Sequence, residues 1–347
     1  MQAFSRITKI VYPATTTLGR WLRRLLLALG LVWSVGLYLY QPICLLPLLV
    51  VGAGLLLVRR TGKPRLLTGL SYETLLWGLF LLSVALFQIL PGPQPKKWQT
   101  PWERAPQFAI EGNSLTIHNL RDFRYRSEND YEPLWRTESY RLDAITGVDF
   151  AECHWDGMEA ICHTMMSFTF ADGKRLVISA ETRLPEGETQ NSIAGLYKRY
   201  GLIYIFGTEE DIFRLRTNYR HEDLLLMPMK IRPERARDML LHFVNLQQEA
   251  EQQHAAYNTA ANNCSSGIMS TFRSLAPEMP RRYDLAPIHN GSISRILFTY
   301  GALMSQPNES YDELRKRCYL GYDISPDRRE SYSQALRDII QHGSPQQ

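Results

Sequence analysis

The residues whose types and spacing could do chemistry are centred on Cys264. A polar, turn-forming run over residues 257–263 leads into this cysteine, and helix-compatible residues 267–275 follow. Asn262 or Asn263 is a good N-cap, so Cys264 is predicted to lie in the first turn of a helix. There the unpaired backbone N–H groups and the helix dipole favour the thiolate, which makes a cysteine nucleophilic. Free cysteines are more often small buried hydrophobic residues, so position alone does not establish catalysis.

A nucleophilic thiol needs a base, and His163 is the best candidate. Two strand-like runs flank Asp172-Gly173, a dipeptide that is a strong hairpin signal between β-rich segments. Folding about this turn brings His163 close to Glu181, which gives an imidazole–carboxylate pair. A three-residue loop makes Glu181 a diagonal neighbour of His163 on one face, whereas a two-residue turn shifts the register and favours Thr182.

The neighbouring polar residues leave two alternatives open. His154 is the rival base, because it lies at a predicted strand end beside a turn. Cys153 and Cys162 flank that turn and could form a disulfide in an oxidising compartment, or they are two separate strand cysteines. No pair among the five cysteines has the C-x-x-C spacing of zinc or redox sites. Neither a phosphate-binding glycine loop nor a metal-ligand cluster is evident, so we expect no metal and no cofactor.

A second polar group lies between residues 212 and 220. If this segment is a strand, its even-numbered positions share one face and carry Arg214, Arg216, Asn218 and Arg220. Such a row could bind an anionic headgroup or a carboxylate of the substrate. The alternative is that these arginines pair with nearby acids such as Glu209, Glu210 and Asp223.

Three apolar stretches precede residue 91, at about 25–40, 43–58 and 70–90. The third is long enough to cross a bilayer core of roughly 30 Å unaided. The first two are short and would cross as a pair broken at Pro42. A cleaved signal peptide is the competing interpretation of the first stretch, but two more apolar stretches follow it. We therefore predict three transmembrane helices within residues 1–90.

The basic residues predict how this region is oriented. Residues 1–90 contain nine Lys/Arg and one acid, Glu73, which leaves 30 basic and 34 acidic residues beyond. The basic clusters precede the first apolar stretch and separate the second from the third, so both should be cytoplasmic. Three crossings then place the remainder in the periplasm, anchored in a bacterial inner membrane. Because that remainder has no obvious basic patch, we do not expect nucleic acid as a partner.

The remaining pattern predicts an α+β fold for the part outside the membrane. We expect a linker over residues 91–107, a thiol domain over 108–305 and a helical C-terminal extension over 306–347. Strand-like runs fill the first half of the thiol domain. An amphipathic helix that Pro233 opens leads to the cysteine, and a further helix is expected from residue 293 to residue 303.

In this chain histidine precedes cysteine, the reverse of the papain order, which is typical of circularly permuted papain-like folds. Three segments carry a resemblance, and they are His163-Thr164-Met165-Met166-Ser167-Phe168-Thr169-Phe170, Leu215-Arg216-Thr217-Asn218-Tyr219-Arg220 and Tyr257-Asn258-Thr259-Ala260-Ala261-Asn262-Asn263-Cys264. They resemble a bacterial family that was long described only as a domain of unknown function. The family is related to the NlpC/P60 and lecithin:retinol acyltransferase-like enzymes and includes lipoprotein N-acyltransferases of Bacteroides-type bacteria. The resemblance covers about residues 140–300, although Ser265-Ser266 stands where the family usually has Thr-Thr.

This resemblance implies a circularly permuted papain-like domain with Cys264 as nucleophile, His163 as base and Glu181 as their third partner. It also implies transfer of an acyl chain from a phospholipid, through a Cys264 thioester, to the N-terminal amine of a lipoprotein. The backbone N–H of Cys264 and the side chain of Asn262 or Asn263 could then stabilise the oxyanion. Two alternatives stay open. One is a periplasmic cysteine hydrolase, peptidase or amidase with the same dyad, and the other is a non-catalytic membrane-anchored module with a structural Cys264.

Overall fold

The computed structural model of the chain describes residues 17–49, 72–155, 157–280, 283, 289–324 and 332–342. The chain divides into two compact units, Met1–Pro91 and Gly92–Gln347. Its α-helices are α1 (Thr17–Tyr40), α2 (Tyr72–Ile89), α3 (Glu209–Arg214), α4 (Pro233–Gln252), α5 (Cys264–Leu275), α6 (Ile293–Thr299), α7 (Tyr311–Arg317) and α8 (Tyr332–His342). Its strands are β1 (Gln107–Glu111), β2 (Ser114–Arg121), β3 (Arg124–Tyr125), β4 (Tyr131–Glu132), β5 (Trp135–Arg141), β6 (Ile145–His154), β7 (His163–Phe170), β8 (Arg175–Arg183), β9 (Gly201–Gly207), β10 (Asp223–Pro228) and β11 (Tyr319–Gly321).

Within the described residues of the first unit, one helix is long and apolar enough to cross a membrane. It is the part of α1 from Gly19 to Tyr40, and the apolar part of α2, Glu73–Ile89, is shorter. The sequence pattern predicts three crossings and assigns the full-length one to the third stretch, and both predictions are wrong for the described residues. The first helix is longer than predicted, because it starts at Thr17, well before residue 25. The apolar helix in the third stretch is shorter than predicted, because it covers only Glu73–Ile89. The second predicted segment, about 43–58, runs past residue 49 and out of the described residues.

The second unit is built on a nine-stranded sheet, so the predicted α+β class is confirmed. The strands follow the order β1-β2-β9-β8-β7-β6-β10-β11, and β5 also pairs with β2. The central strands carry apolar residues on both faces, because both faces of the sheet are buried there. In β8, Ile178 packs into a core with α4, α5 and α6. The adjacent Val177 faces the opposite core, which includes residues of α3 and α8.

The hairpin of β7 and β8 decides which residues meet at one end of the sheet. The backbone N–H of Phe170 donates to the carbonyl of Lys174 at 3.0 Å, which closes a loop of three residues, 171–173. Gly173 supplies the positive φ of 83° that this turn requires. Met165 pairs with Ser179 in this register. Continuing the ladder by two residues sets His163 directly opposite Glu181, so the diagonal relationship predicted for a three-residue loop is wrong by one pair.

Residues 212–220 do not form the predicted strand. They continue α3 into a single π-helical turn, Leu215–Tyr219. The physical reason lies just upstream: Thr208 caps α3 by accepting a hydrogen bond from the backbone N–H of Asp211. Three acidic residues in the first turn add a favourable interaction with the helix dipole. The predicted C-terminal extension is helical in α7 and α8, and it also adds β11 to the main sheet.

Candidate active site

Cys264 is the first residue of α5, as the sequence predicts, and it is 9% exposed. Asn263 is the N-cap, and its side-chain oxygen accepts hydrogen bonds from the backbone N–H groups of Ser265 and Ser266 at 3.0 and 3.2 Å. The Ser266 hydroxyl accepts one in return from the backbone N–H of Asn263 at 2.9 Å. This capping box fixes where the helix begins and therefore where the sulfur lies.

His163, at the start of β7, interacts with Cys264, and each side chain shifts the pKa of the other. Its Nε2 atom lies 2.6 Å from the hydroxyl oxygen of Ser179 and 3.2 Å from Oε1 of Glu181. Because Nε2 faces these two groups, Nδ1 is the ring nitrogen that remains for the thiol. A hydrogen bond of 2.9 Å between the hydroxyls of Thr164 and Ser265 ties the start of α5 to β7 beside this pair.

The electrostatics of the pair favour the charged form of both side chains. Burial alone would raise the pKa of the Cys264 thiol, but the charge and hydrogen bond of His163 outweigh burial and lower the pKa to about 6. Burial and the charge of Arg216 would lower the pKa of His163, but Glu181 and Cys264 raise it to about 9. Both shifts favour the thiolate–imidazolium form of the pair.

Glu181 completes the constellation, and Arg216 holds it in place. Burial disfavours the charge of Glu181, yet the charges of His163 and Arg216 keep the pKa of this carboxyl well below its usual range. One terminal nitrogen of Arg216 lies 3.1 Å from Oε1 of Glu181, and the other lies 2.9 Å from Glu222. Arg216 is 6% exposed. Its position therefore supports a role in orienting Glu181, and it argues against the predicted contact with a substrate headgroup.

The other members of the predicted arginine row are not gathered at the thiol. Asn218 donates to the backbone carbonyl of Ile324 at 3.1 Å, which anchors a distant stretch of chain. Arg220 pairs with Glu128 at 2.9 Å and lies 3.9 Å from Glu222. Arginines paired with acids, the alternative left open by the sequence, describe this region better, although the partners differ from those named.

The side chains of Asn262 and Asn263 hold the loop before the cysteine. The amide nitrogen of Asn262 donates to the carbonyl of Ala256 at 3.0 Å, and that of Asn263 donates to the carbonyl of Thr259 at 2.9 Å. Both amide groups are thus bonded to the backbone in the resting structure. The backbone N–H of Cys264 stays the better candidate for contact with an oxyanion.

Asn290 is a polar residue at the site that the sequence interpretation missed. Its amide nitrogen lies 3.7 Å from the sulfur of Cys264, and its side-chain oxygen accepts a hydrogen bond from the backbone N–H of Cys162 at 2.8 Å. The residue follows a predicted loop and has no motif around it. Its partner Cys162 is 128 residues away along the chain, so no local pattern could have revealed the contact.

The rival base His154 lies in a separate buried pair. Its Nδ1 atom is 3.0 Å from the carbonyl of Met158, and its Nε2 atom is 3.4 Å from Oε2 of Glu152. Glu152, His154 and Cys162 each have one atom that could bind a metal ion, and these three atoms lie within 4.8 Å of one another. The imidazole–carboxylate contact already pairs two of these groups, and burial raises the pKa of the Cys162 thiol well above its ordinary value. Cys153 and Cys162 are both free thiols in the structure.

A Glu181→Gln variant is expected to slow acylation of Cys264 by about 10²-fold, because the amide keeps the shape of the carboxylate but removes the charge that sustains the imidazolium. The alkaline limb of the pH–rate profile should move to lower pH, since the pKa of His163 falls when its anionic neighbour is lost. Glu222→Gln is the matched control, since it alters the other partner of Arg216. If both variants gave the same profile as the unsubstituted chain, Glu181 would have no part in the site.

The fold and the site together define a class: an α+β domain in which a cysteine at a capped helix start, a strand histidine and a partly buried glutamate converge. Residues 131–297 match the family model of the Lnb N-terminal periplasmic domain. This region is therefore similar to the periplasmic domain of the Lnb family, and it includes Cys264, His163, Glu181 and Asn290. No curated protein and no solved structure matches the chain. A periplasmic domain family and one candidate membrane helix near the N-terminus support a membrane-anchored protein with a periplasmic domain.

Proposed function

We propose that this protein is a cysteine acyltransferase of the bacterial inner membrane. It would move an acyl chain from a phospholipid to the N-terminal amine of a lipoprotein through a thioester on Cys264. The observation that carries the proposal is the pairing of the buried Cys264 with the partly buried His163 where the start of α5 is hydrogen-bonded to β7, and the pKa of the thiol is lowered to about 6. The Lnb match supports it by placing the matched region among periplasmic domains. In this proposal the domain is a circularly permuted papain-like fold, since the histidine strand precedes the cysteine helix.

The first half of the reaction forms the thioester. The thiolate of Cys264 attacks the carbonyl carbon of a phospholipid ester and gives a tetrahedral intermediate. The backbone N–H of Cys264 stabilises the developing oxyanion at the start of the helix. As the carbon–oxygen bond of the ester breaks, the imidazolium of His163 donates its proton to the departing alkoxide. The products are a lysophospholipid, an acyl-Cys264 thioester and a neutral imidazole.

The second half transfers the acyl chain. The α-amine of a diacylglyceryl-cysteine attacks the thioester carbonyl, and the neutral imidazole of His163 takes the proton that the amine gives up. The carbon–sulfur bond then breaks, an amide forms, and Cys264 leaves as the thiolate. Glu181 stabilises the imidazolium that results, in the manner of the carboxylate in a catalytic triad. The resting ion pair is restored, and no metal or cofactor takes part in these steps.

The mass of a lipopeptide tests this proposal. The full chain would be expressed in a strain that lacks its own lipoprotein N-acylation, and the N-terminal lipopeptide of a reporter lipoprotein would be weighed. A triacylated product is expected from the unsubstituted chain and from Ser270→Ala, a change at an exposed residue of the same helix. A diacylated product is expected from Cys264→Ala. Diacylated product from every chain would overturn the transferase, and an acyl-Cys264 that only water resolves would then identify a hydrolase.

A further inference from the structure

The segment between α5 and α6 reaches back to the start of β7 through Asn290, which is 6% exposed. The side-chain oxygen of Asn290 accepts the backbone N–H of Cys162, and its amide nitrogen donates to the backbone carbonyl of the same residue. The same amide nitrogen lies 3.7 Å from the sulfur of Cys264. One side chain thus contacts both the backbone next to His163 and the reacting sulfur.

The orientation of this amide group is fixed by chemistry. A backbone N–H can only donate and a backbone carbonyl can only accept, so the two contacts with Cys162 assign the oxygen and the nitrogen of Asn290 without ambiguity. The nitrogen carries two hydrogens, and the carbonyl of Cys162 takes one of them. The sulfur of Cys264 is the remaining contact of that nitrogen, and a sulfur atom, above all a thiolate, accepts hydrogen bonds.

The backbone around Asn290 holds it in this position. The N–H of Gly291 donates to the carbonyl of Ala160 at 3.2 Å. A Cβ atom at residue 291 would lie 1.9 Å from the carbonyl oxygen of Glu159, so the close approach requires glycine. The N–H of Ser294 also lies 3.3 Å from Oε1 of Glu152, in β6. Residues 290–294 therefore pack against β6 and the loop that follows it, and Asn290 has little freedom to turn away.

We propose that Asn290 is a further catalytic residue, which donates a hydrogen bond from its side-chain amide to the Cys264 thiolate. The inference deepens the proposed function and rests on it in one respect, namely that Cys264 is the nucleophile. Hydrogen bonds to ionised groups are stronger than neutral ones, so this donor favours the thiolate over the thiol. It also limits the directions in which the sulfur can point, which keeps the sulfur aligned with the start of α5 and with His163.

The test is the pH dependence of Cys264 alkylation by iodoacetamide, followed by peptide mass on the full chain in detergent. Asn290→Ala is expected to move the midpoint of this profile upward by about one pH unit, a tenfold loss of thiolate at a given pH below it. Asn290→Asp should move it at least as far. An ionised aspartate has no hydrogen to donate, and a protonated one that donates to the carbonyl of Cys162 has none left for the sulfur. Asn191→Ala is the control, because Asn191 binds the backbone of its own turn and not the thiol.

An unchanged midpoint in both Asn290 variants would overturn the inference, even if their melting temperatures fell, because a purely structural residue alters stability without altering the thiol. Asn290→Asp keeps the size of the side chain and serves if Asn290→Ala does not fold. Alkylation needs neither a phospholipid nor a lipoprotein. A shifted midpoint would therefore support the role of Asn290 even if no acyl transfer to an amine were found, and failure of either proposal would be recognised separately.

Discussion

Wild-type chain incubated with phospholipid vesicles and no acceptor is expected to gain one acyl chain on Cys264, whereas Cys264→Ala gains none. In the proposed mechanism the Cys264 thiolate is the group that forms the covalent intermediate. Removing the nucleophile of a catalytic triad costs on the order of 10⁶-fold in rate. Intact mass measures the adduct, and neutral hydroxylamine should remove it because thioesters are cleaved under those conditions while ordinary esters survive.

The other cysteines of the second unit make this labelling specific. Burial raises the pKa of Cys318 to about 11 and raises the pKa of Cys153 and Cys162 above the ordinary value. Only Cys264 has a lowered pKa among the described cysteines of this unit. Because the thiolate is the reactive form, acylation and alkylation at neutral pH should both map to Cys264.

A matched pair of controls separates loss of chemistry from loss of folding. Ser270→Ala changes an exposed side chain six residues along the same helix, and it should acquire the acyl chain at the wild-type rate. Cys264→Ala removes one buried sulfur and should melt close to the wild-type temperature. An acyl adduct on the Cys264→Ala chain, or an adduct that resists hydroxylamine, would show that the acyl carrier is another residue and would remove the basis of the proposed mechanism.

Local sequence signals predicted the parts of the site that depend on neighbours in the chain. Asn263 before Cys264 predicted the start of α5, since a capping side chain acts within three residues. Asp172-Gly173 predicted the hairpin that brings His163 to Glu181, because the turn requires a residue with positive φ. The register was wrong by one pair, which shows that a turn signal locates the loop more reliably than it sets the pairing of the strands.

The parts that the sequence missed depend on contacts between distant residues. The sequence predicts that Arg216 lies on one face of a strand together with other arginines. Instead, α3 continues into a π-helical turn that contains Arg216. This turn places the guanidinium between Glu181 and Glu222. Asn290 reaches Cys162 across 128 residues, and nothing near it in the chain marks the contact. In both cases the tertiary fold assigns the partner, and apolar or charged periodicity carries no information about it.

The candidate membrane helix α1 shows that hydropathy does not locate the start of a helix. Hydropathy located the apolar stretch near residue 25, but the described helix α1 starts at Thr17, through a segment that includes Arg20, Arg23 and Arg24. Arg23 is tied to Glu73 of α2, and the hydroxyl of Tyr38 lies 2.5 Å from that of Ser83. Helical structure thus extends past the apolar stretch into a charged segment, of which Arg23 has a partner on α2.

Replacing His163 by alanine is expected to remove the pH window of the reaction as well as most of its rate. The pKa of Cys264 is lowered from an ordinary value of 9.0 to about 6, so its thiolate is present above about pH 6. The pKa of His163 is raised from 6.5 to about 9, so its imidazolium persists up to about pH 9. Acylation needs both charged forms, and its rate should therefore form a plateau between pH 6 and 9 and fall on either side.

Without the imidazolium, burial dominates at Cys264 and returns the pKa of the thiol to its ordinary value or above. A rise of three pH units leaves about 10²-fold less thiolate at pH 7. Loss of the proton donor to the leaving alkoxide costs about another 10²-fold. Acylation by His163→Ala should thus be slower by on the order of 10⁴-fold at pH 7 and should increase steadily towards pH 9 and beyond, with no acid limb near pH 6.

His154→Ala is the decisive control, because His154 is the other buried histidine that interacts with a carboxylate and was the rival base. Its ring contacts Glu152 and the carbonyl of Met158, so its removal should leave both limbs of the profile in place. If the plateau survived in His163→Ala and vanished in His154→Ala, the base would be His154, and the proposed pairing of His163 with Cys264 would be wrong. The contacts of His163 with Cys264, with the Ser179 hydroxyl and with the Glu181 carboxylate argue against that outcome, since the carboxylate that His154 contacts is Glu152.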